Sequence, residues 1–371
     1  MRILFTGGGT SGHLFPIIAI TRELRRLYQK DNLKLYYIGP NDELGLLLLS
    51  QENIKTYGIV SGKIRRYFSF QNIIDILFKI PLSFLQSFFL LLFLRPLLVF
   101  SKGGTGSIAV TFCARVLMIP VFLHESDMAP GLSNRITSRF AKKIFTSFKK
   151  TEYFSLSEAI LVGNPIRKEL LEGNSASAKE VFNLTLQKPV ILFMGGSQGS
   201  EAINNFVLEI LNNILQYYEI IHVCGVKNYQ KITSELIEIL DKDLEKYYHL
   251  KASLDEVELK HAYAVCGLVV SRTGSGSIFE IAALGKPSIL IPLPSSAGNH
   301  QSKNAYQYSQ AGAGIVVEQD NLIPNFFLGR INYLFSQPEI MENMKKAALE
   351  FSKPLAAKAI AREILEYVNI K

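Results

Sequence analysis

Four glycine-rich turns carry the clearest chemical signal in this sequence, because each follows a short apolar segment and precedes an amphipathic one. They are Gly7–Gly12, Gly103–Ser107, Gly195–Ser200 and Gly274–Ser277. A strand, a glycine loop and a helix N-terminus together expose backbone N–H groups at the positive end of a helix dipole, and that arrangement binds phosphate. The sequence therefore predicts sites for phosphate-bearing ligands.

The last of these turns has a carboxylate about one helical turn beyond it. Leu268–Val270 is typical of a buried strand, Ser271–Ser277 of a turn, and a helix is predicted over Ile278–Leu284. Glu280 on that helix is an acceptor-only side chain that can bind the two hydroxyls of a ribose. The alternative is a capping box, in which Ser277 and Glu280 only stabilise the helix end.

Titratable side chains stand beside two other predicted strand ends. His13 directly follows the first glycine turn, where the helix dipole disfavours the imidazolium form and so favours a base near neutral pH. The sequence His124-Glu125-Ser126-Asp127 follows the predicted strand Pro120–Leu123, at the edge where open α/β sheets bind ligands. The alternatives are an ordinary N-terminal helix residue for His13 and a polar loop for the second group. The second group is not HExxH, so no zinc site is predicted.

Two other motif matches fail in their context. Gly7-x-Gly9-x-x-Gly12 fits the dinucleotide fingerprint, but the next predicted strand, Leu33–Ile38, ends in Gly-Pro without the acid that would bind a ribose. Asp241-Lys242-Asp243 imitates a metal-binding DxD motif, but it is predicted to lie mid-helix among Glu and Lys, where a solvated face is expected.

The elements that position these residues form two similar series. An Ile-Leu-Phe segment runs into Gly-Gly at Ile3–Gly8 and again at Ile191–Gly196. The 371 residues also exceed one ordinary domain. We therefore predict an α/β protein of two Rossmann-like doubly wound domains, 1–162 and 163–353, with the C-terminal helix 354–371 returning to the first domain. Ile160–Pro189 is the predicted linker region.

Composition narrows the class of protein. With 48% hydrophobic and 19% charged residues the chain is typical of a globular protein. Cys113, Cys224 and Cys266 are widely separated, which argues against a disulfide framework and fits a reducing compartment. No signal peptide is expected, because the first residues pass straight into a glycine turn. Residues 1–160 hold 20 Lys+Arg against 10 Asp+Glu, and residues 161–371 hold 20 against 22, so the first half should meet the anionic partner.

The segment between Lys79 and Arg95 is apolar and uncharged for fifteen residues. That is shorter than a spanning helix requires, and Pro81 and Pro96 bracket it. A buried helix explains part of the pattern. The excess of Phe and Leu beside basic residues also predicts a peripheral contact with an anionic membrane. A nucleic-acid surface ranks well behind, since no RNA- or DNA-binding motif is present.

These motifs together resemble those of the B-type glycosyltransferases, and more narrowly the MurG family of peptidoglycan N-acetylglucosaminyltransferases. The resemblance covers nearly the whole chain. It rests on Gly8–His13, Lys102–Gly104, His124–Asp127, Gly163–Arg167, Gly195–Gly199, Arg272–Gly274 with Glu280, and Asn299–Gln301 with Asn304-Ala305.

The resemblance implies the glycosyltransferase B fold, with the two domains facing a cleft, and an inverting transfer. N-acetylglucosamine would pass from UDP-N-acetylglucosamine to the C4 hydroxyl of the muramoyl sugar of a polyprenyl-pyrophosphate-linked muramoyl pentapeptide. No cofactor and no active-site metal are implied. The implied location is the cytoplasmic face of the inner membrane, as a peripheral protein on an anionic surface, with no nucleic-acid partner.

The resemblance also assigns residues by role. We expect a catalytic base at His13, with Glu125 as second choice. The implied donor-binding residues are Thr10, Ser11, Gly12, Asp127, Arg167, Ser197, Gly274, Ser275, Glu280, His300 and Gln301. The implied acceptor pyrophosphate loops contain Gly9, Gly103, Gly104 and Ser107.

Three positions depart from the family pattern. Ser11 replaces a glycine, Thr105-Gly106 replaces an aromatic or aliphatic pair, and Asp127 replaces an asparagine. The last change removes an amide donor and adds a negative charge. We therefore hypothesise that Asp127→Asn keeps or raises activity.

Three rival functions are weaker. A UDP-N-acetylglucosamine epimerase shares this fold but has no use for an apolar, basic N-terminal face. A non-enzymatic nucleotide-sugar subunit would not need His13 and Glu125. A nicotinamide dehydrogenase would need the missing ribose acid.

Overall fold

The computed structural model describes residues 1–8, 11–30, 32–62, 75–149, 151–154 and 158–369. It divides the chain into two compact units, Met1–Arg167 with Lys353–Lys371, and Lys168–Ser352. The sequence analysis placed the corresponding boundaries after residues 162 and 353. We call the two parts unit 1 and unit 2.

Unit 1 is built on a seven-stranded sheet in which all strands are parallel and the order is β3-β2-β1-β4-β5-β6-β7. The strands are β1 (Arg2–Thr6), β2 (Lys34–Pro40), β3 (Lys55–Ile59), β4 (Leu98–Ser101), β5 (Val121–Glu125), β6 (Lys143–Thr146) and β7 (Ala159–Leu161). β1 is apolar on both faces because helices cover both. Ile3 and Phe5 enter one core cluster, and Leu4 enters another on the opposite face.

The helices of unit 1 lie on both faces of this sheet. They are Ser11–Leu27, Glu43–Gln51, the π-helix Asp75–Lys79, Ile80–Leu94, Ser107–Val116, Leu132–Ser138 and Ala356–Asn369. The last of them packs against Ser11–Leu27, and its Ile360 and Ile364 join the core cluster of β1. The C-terminal helix thus belongs to the first core.

Unit 2 is built on a six-stranded parallel sheet of order β10-β9-β8-β11-β12-β13. Its strands are β8 (Val190–Met194), β9 (Glu219–Val223), β10 (Tyr248–Lys251), β11 (Leu268–Ser271), β12 (Ser288–Leu290) and β13 (Ile315–Val316). Its α-helices are Ser175–Phe182, Glu201–Leu215, Tyr229–Ile239, Glu256–Val265, Ser275–Ala283, His300–Gln310, Pro324–Ser336 and Pro338–Phe351. Short 3-10 turns occupy Lys168–Glu172, Glu245–Tyr247, Ala297–Asn299 and Gln319–Asn321.

Both sheets reverse their strand order at one internal point, between β1 and β4 in unit 1 and between β8 and β11 in unit 2. A doubly wound sheet binds its ligands at the carboxyl ends of the strands at such a point. The four glycine turns follow those four strands. The predicted fold class of two doubly wound α/β domains is therefore confirmed, and the two Ile-Leu-Phe segments are the equivalent strands β1 and β8.

The apolar segment 80–94 forms a helix that buries two polar side chains and exposes several large apolar ones. Its serines, Ser83 and Ser87, are buried, whereas Phe89 is 64% and Phe93 is 78% exposed. The buried side packs against Ser107–Val116. By length and composition Leu77–Leu94 could cross a membrane, and it is the single helix of the described residues that passes this test, which is weak evidence on its own. Leu91 and Leu94 are also buried, and the exposed large apolar side chains of this helix are Leu82, Leu85, Phe89, Leu92 and Phe93.

Candidate functional site

In unit 1 the glycine turns after β1 and β4 approach each other more closely than side chains would allow. Gly103, Gly104 and Gly106 have φ of 79°, 87° and 87°, a conformation that favours glycine. A Cβ on Gly104 would lie 2.7 Å from the Cα and N atoms of Gly8. The Ser107 hydroxyl donates to the Gly104 carbonyl over 2.8 Å and fixes the second turn. Two bare stretches of backbone thus lie side by side at the switch point of the sheet.

His13 lies against both of these turns. It is half-buried in the first turn of the helix Ser11–Leu27. A Cβ on Gly8 would be 3.0 Å from its Nδ1, and a Cβ on Gly104 would be 3.2 Å from its Nε2. The structure therefore brings the predicted base to the predicted pyrophosphate loops. Gly12 is exposed beside it, while Gly9, Thr10 and the side chain of Ser11 lie outside the described residues.

A buried group of ionisable residues lies next to these turns, at the ends of β4 and β5. Lys102 is 2% exposed, and its Nζ is 2.6 Å from Nδ1 of His124 and 3.4 Å from Oδ1 of Asn164. It also donates to the hydroxyl of Ser126. Nε2 of His124 is 2.9 Å from the Gly163 carbonyl oxygen. These contacts join the turn after β5 to the chain segment after β7.

Glu125, the second-choice base, is also buried. Its Oε1 accepts a hydrogen bond from the Asp127 backbone N–H over 2.9 Å, and its Oε2 accepts from Nδ2 of Asn134 over 2.7 Å. Two amide atoms of this group, Oδ1 of Asn134 and Nδ2 of Asn164, are buried without a hydrogen-bond partner among the described residues. Unsatisfied buried polar atoms are unfavourable, and they accumulate where a ligand can complete them.

Burial shifts the titration of this group. Burial, and after it the neighbouring Asp127 carboxylate, raises the pKa of Glu125 to about 7. Burial lowers the pKa of Lys102 to about 7, although the charges of Glu125 and Asp127 oppose that shift. Burial and the Lys102 ammonium hold the pKa of His124 well below its ordinary value, so His124 is neutral. Perturbed values of this kind mark candidate sites of proton transfer.

Arg167 and Asp127, both predicted to bind the donor, lie in unit 1. The Arg167 guanidinium is 3.9 Å from the centre of the Phe15 ring and is only 5% exposed. This contact is a cation–π interaction on the helix that begins beside His13. Asp127 is half-buried in the turn that carries Glu125.

In unit 2 the corresponding edge is organised by one buried arginine. Arg272, directly after β11, donates to the Ser200 hydroxyl over 2.7 and 3.1 Å, to the carbonyls of Ile291 and Pro292, and to Oε1 of Gln319 over 2.6 Å. Ser200 in turn caps the helix Glu201–Leu215. The guanidinium therefore fixes the glycine turn after β8 to the loop after β12, and its donors face protein acceptors.

Gln301 holds the neighbouring loops together. The side-chain Oε1 of Gln301 accepts hydrogen bonds from the backbone N–H of Leu293 over 3.0 Å and of Thr273 over 3.4 Å. Its backbone carbonyl accepts one from the Thr273 hydroxyl over 2.8 Å. Its predicted contact with sugar hydroxyls would therefore use the amide nitrogen. His300 precedes it at the first position of the helix His300–Gln310 and is half-buried.

The helix Ser275–Ala283 starts three residues earlier than predicted. Gly274 is its N-cap and no side chain caps it, so Ser277 lies inside the first turn and the capping-box alternative is wrong. Glu280 instead accepts a hydrogen bond from the Tyr263 hydroxyl over 3.2 Å and is half-buried. Ser275 is buried at the first turn, and Ser197 is exposed in the glycine turn after β8. The uncapped N–H groups match the predicted diphosphate site.

The metal-binding alternatives find no support in the described part of the chain. Groups of three or more His, Cys, Asp or Glu that could hold a metal ion are absent there. Asp241-Lys242-Asp243 lies in the turn after the helix Tyr229–Ile239, so its mid-helix placement was wrong. It remains a solvated segment.

Sequence reasoning missed several residues of these edges. Lys102 was noted only as part of a motif, and Asn134, Asn164 and Arg272 received no role. Lys102 is a charged residue between an apolar strand and Gly-Gly, and that position was the available signal. Asn134 lies in a short helix with no motif around it, so nothing local pointed to its bond with Glu125.

Comparison with known proteins identifies both halves of the chain. Residues 3–146 match the glycosyltransferase family 28 N-terminal domain, and residues 190–360 match the glycosyltransferase family 28 C-terminal domain. A Clostridium tetani relative is 34% identical over 94% of each chain, and one from Clostridium kluyveri is 35% identical over 94% of this chain and 96% of its own. Both are named UDP-N-acetylglucosamine–N-acetylmuramyl-(pentapeptide) pyrophosphoryl-undecaprenol N-acetylglucosamine transferase.

Solved structures share the fold. MurG of Acinetobacter baumannii superposes with a TM-score of 0.72 at 22% identity, covering 98% of this chain and 99% of its own. The UDP-N-acetylglucosamine 2-epimerase of Neisseria meningitidis superposes with a TM-score of 0.70 at 17% identity, covering 99% and 100%. These identities are low enough that the structural similarity supports the fold alone.

Proposed function

Because the chain belongs to the family 28 glycosyltransferases, we infer that it transfers N-acetylglucosamine from UDP-N-acetylglucosamine to the lipid-linked N-acetylmuramoyl pentapeptide. The relatives that carry this activity in their names match 94% of the chain. The reaction forms the glycosidic bond of the lipid-linked disaccharide used in peptidoglycan synthesis. The protein is a hexosyltransferase.

The observation that carries the residue assignment is the contact of His13 with both glycine turns of unit 1. A polyprenyl pyrophosphate at those turns would meet the positive end of the helix dipole of Ser107–Val116. The N–H groups of Gly103 and Gly104 donate to the hydroxyls of Ser101 and Ser133, so the N–H groups of the first turn of that helix are the ones proposed to bind it. The acceptor hydroxyl must lose a proton as it attacks the anomeric carbon, and a base within hydrogen-bond reach accelerates that step. We assign this role to His13, with Glu125 as the alternative.

The donor assignment rests on unit 2. The uncapped N-terminus of Ser275–Ala283 and the turn containing Ser197 offer N–H groups to a diphosphate, and Glu280 offers a carboxylate to the ribose. As the glycosidic bond to UDP breaks, negative charge grows on the departing diphosphate. Preorganised N–H groups and a helix dipole stabilise that charge where it forms. We therefore propose that no divalent cation is required.

We also propose that unit 1 rests on the anionic face of the membrane that carries the acceptor. The exposed Phe and Leu side chains of Ile80–Leu94 support this, together with Lys79 and Arg95 at the ends of that helix. Apolar burial combined with attraction to anionic lipids gives reversible, peripheral binding. Because the lipid intermediate is assembled from a nucleotide sugar, the cytoplasmic face of the inner membrane is the proposed location.

The epimerase alternative shares the fold but predicts a different product. An epimerase would convert UDP-N-acetylglucosamine without a lipid acceptor. The named relatives at 34–35% identity favour the transferase, and the epimerase structures match at 14–17% identity.

The deciding experiment incubates purified protein with labelled UDP-N-acetylglucosamine and EDTA, with and without the lipid-linked muramoyl pentapeptide. We expect label in the lipid product, at a rate that added Mg²⁺ does not raise. Label in an epimerised nucleotide sugar without lipid would support the alternative. Transfer that stops in EDTA and returns with Mg²⁺ would contradict metal independence alone.

A further inference from the structure

Among the described residues of the unit 1 edge, Lys102 has a buried charge and no role in the proposed reaction. It follows β4 and precedes the glycine pair of the second turn, and 2% of it is exposed. Burying an ammonium is unfavourable unless its donors are all satisfied. Its contacts therefore deserve a functional explanation.

The ammonium meets three acceptors, one for each N–H. They are Nδ1 of His124 at 2.6 Å, the hydroxyl oxygen of Ser126, and Oδ1 of Asn164 at 3.4 Å. An ammonium donates and cannot accept, so Nδ1 of His124 must be unprotonated. The ring proton then lies on Nε2, where the Gly163 carbonyl accepts it over 2.9 Å. Lys102 thus selects one tautomer of His124.

The same reasoning orients Ser126. Its oxygen accepts from Lys102, so its own hydrogen must point away from the ammonium. Lys102 and His124 are buried, whereas Ser126 is half-buried. The Ser126 hydroxyl is thereby presented as a hydrogen-bond donor at the edge that carries the glycine turns.

Lys102 also sets the charge of this edge. The carboxylates of Glu125 and Asp127 belong to the same turn and interact electrostatically with it. The ammonium therefore offsets negative charge beside the turns that the proposed function assigns to an anionic substrate.

We propose that Lys102 is a positioning residue for the lipid-linked acceptor: its ammonium fixes the His124 tautomer and aligns the Ser126 hydroxyl to donate to an anionic oxygen of the substrate. This inference rests on the proposed transferase function. The substrate chemistry concerned is a pyrophosphate, whose oxygens accept hydrogen bonds from hydroxyls and backbone N–H groups.

The test is a double-mutant cycle of Lys102→Met and Ser126→Ala, with transfer measured at varied acceptor and donor concentrations. We expect each single variant to lower kcat/KM for the acceptor by about thirtyfold, because a hydrogen bond to a charged partner is lost. KM for UDP-N-acetylglucosamine should change less than twofold. The double variant should be no worse than Lys102→Met, since the hydroxyl is aligned only by the ammonium.

Ser138→Ala is the matched control, because its hydroxyl donates only to the Arg135 carbonyl of its own helix. Normal transfer by the wild type and by this control establishes the proposed function independently. Losses that multiply in the double variant would overturn the inference, and so would a Ser126→Ala enzyme within twofold of wild type. If Lys102→Met does not fold, the Ser126→Ala result alone decides.

The pH profile separates positioning from a merely structural role. The groups facing Lys102 are His124, Glu125 and Asp127. Burial lowers the pKa of Lys102 to about 7. As the pH rises through that value, the ammonium loses a proton and keeps only two of its three N–H donors. We expect acceptor kcat/KM of the wild type to fall on the alkaline side, and Lys102→Met to lack that fall. An unchanged alkaline limb in the variant contradicts the proposal.

Discussion

The carboxyl edges of the two sheets have the same construction and different chemistry. Each presents two glycine turns at the point where the strand order reverses. In unit 1 the ends of β4 and β5 carry a buried ammonium, imidazole and carboxylate. In unit 2 the guanidinium that follows β11 is surrounded by neutral hydroxyl, amide and carbonyl acceptors.

From this difference we propose that the proton transfer takes place at unit 1 and that the neutral edge of unit 2 binds the donor. Burial brings the pKa of Glu125 up to about 7 and that of Lys102 down to about 7, so protons can move near neutral pH. Burial also lowers the pKa of Arg272, but a guanidinium keeps its proton at neutral pH. Both edges present backbone N–H groups from their glycine turns. The two edges differ in the side chains at the strand ends, which are ionisable in unit 1 and mostly neutral around Arg272 in unit 2.

His13→Ala tests the proton chemistry of unit 1 and has the largest expected effect. Transfer should fall by about a thousandfold, the range typical for loss of a general base. UDP binding should change little, because the groups proposed to bind the diphosphate and the ribose, Ser197, Ser275 and Glu280, lie in unit 2. Turnover is measured with labelled donor and UDP affinity by calorimetry. His249→Ala is the control, because His249 lies in unit 2, where its imidazole pairs with Glu219. Unchanged turnover in His13→Ala would remove His13 from the mechanism.

Gly104→Ala tests whether the two turns of unit 1 need bare backbone. The new Cβ would lie 2.7 Å from backbone atoms of Gly8, and φ of 87° is strained for alanine. We expect acceptor kcat/KM to fall by about a hundredfold, in keeping with misplacement of a bound substrate. Gly131→Ala is the control, because nothing lies within 4 Å of its Cβ position. Equal activity of the two variants would show that the close approach is not needed.

The sequence predicted these turns because their signal is local. An Ile-Leu-Phe strand followed by Gly-Gly needs no distant information, and it located β1 and β8 correctly. The start of Ser275–Ala283 was missed because Ser277 and Glu280 imitate a capping box, while Gly274 is the actual cap. Glu280 instead accepts a hydrogen bond from the Tyr263 hydroxyl, a residue outside its own helix.

The buried contacts could not be predicted in the same way. Lys102 and Asn164 are separated by 62 positions, and Arg272 and Ser200 by 72. Only the folded sheet order brings them together, and one sequence carries no record of that pairing. The orientation of Ile80–Leu94 was open for a similar reason, because an almost uniformly apolar segment has no periodicity to show which side is buried.

Arg272→Lys tests the guanidinium of unit 2. A lysine cannot reproduce the planar set of donors that reaches Ser200, Ile291 and Gln319. We expect about 2 kcal/mol loss of stability, from two or more lost hydrogen bonds, and about a tenfold rise in KM for UDP-N-acetylglucosamine. Arg330→Lys, at a half-buried helix position, is the control. A rise in KM for the acceptor with donor KM unchanged would contradict the division between the units.

His222 tests whether a buried imidazole of unit 2 serves stability alone. It bridges the Tyr248 hydroxyl at 2.6 Å and Oδ1 of Asn204 at 3.0 Å, and burial lowers its pKa to about 3. The unfolded imidazole binds a proton below about pH 6.5 and the folded one does not, so stability falls as the pH drops from there towards 3. At pH 5 this amounts to about 2 kcal/mol. Denaturant titrations at pH 7 and pH 5 should show a smaller loss for His222→Gln than for the wild type, and an equal loss would disprove the assignment.

Asp127→Asn should change activity least, and it refines the electrostatics of unit 1. The Asp127 backbone N–H that donates to Glu125 is kept, while an amide donor returns and a negative charge is removed. We expect activity equal to the wild type or up to about threefold higher. A loss of tenfold or more would count against the hypothesis. Asp241→Asn, in an exposed turn, is the control for a change of charge alone.

The pH profile of Asp127→Asn sharpens this last prediction. The Asp127 carboxylate raises the pKa of Glu125, so removing its charge lowers that pKa. If His13 alone accepts the proton, the acidic limb of kcat keeps its wild-type position in Asp127→Asn and disappears in His13→Ala. If Glu125 accepts it, the limb moves with Asp127→Asn. Asp127→Asn therefore distinguishes the two candidate bases although it changes kcat least. The size of kcat does not show which group takes the proton, whereas the position of the acidic limb of its pH profile does.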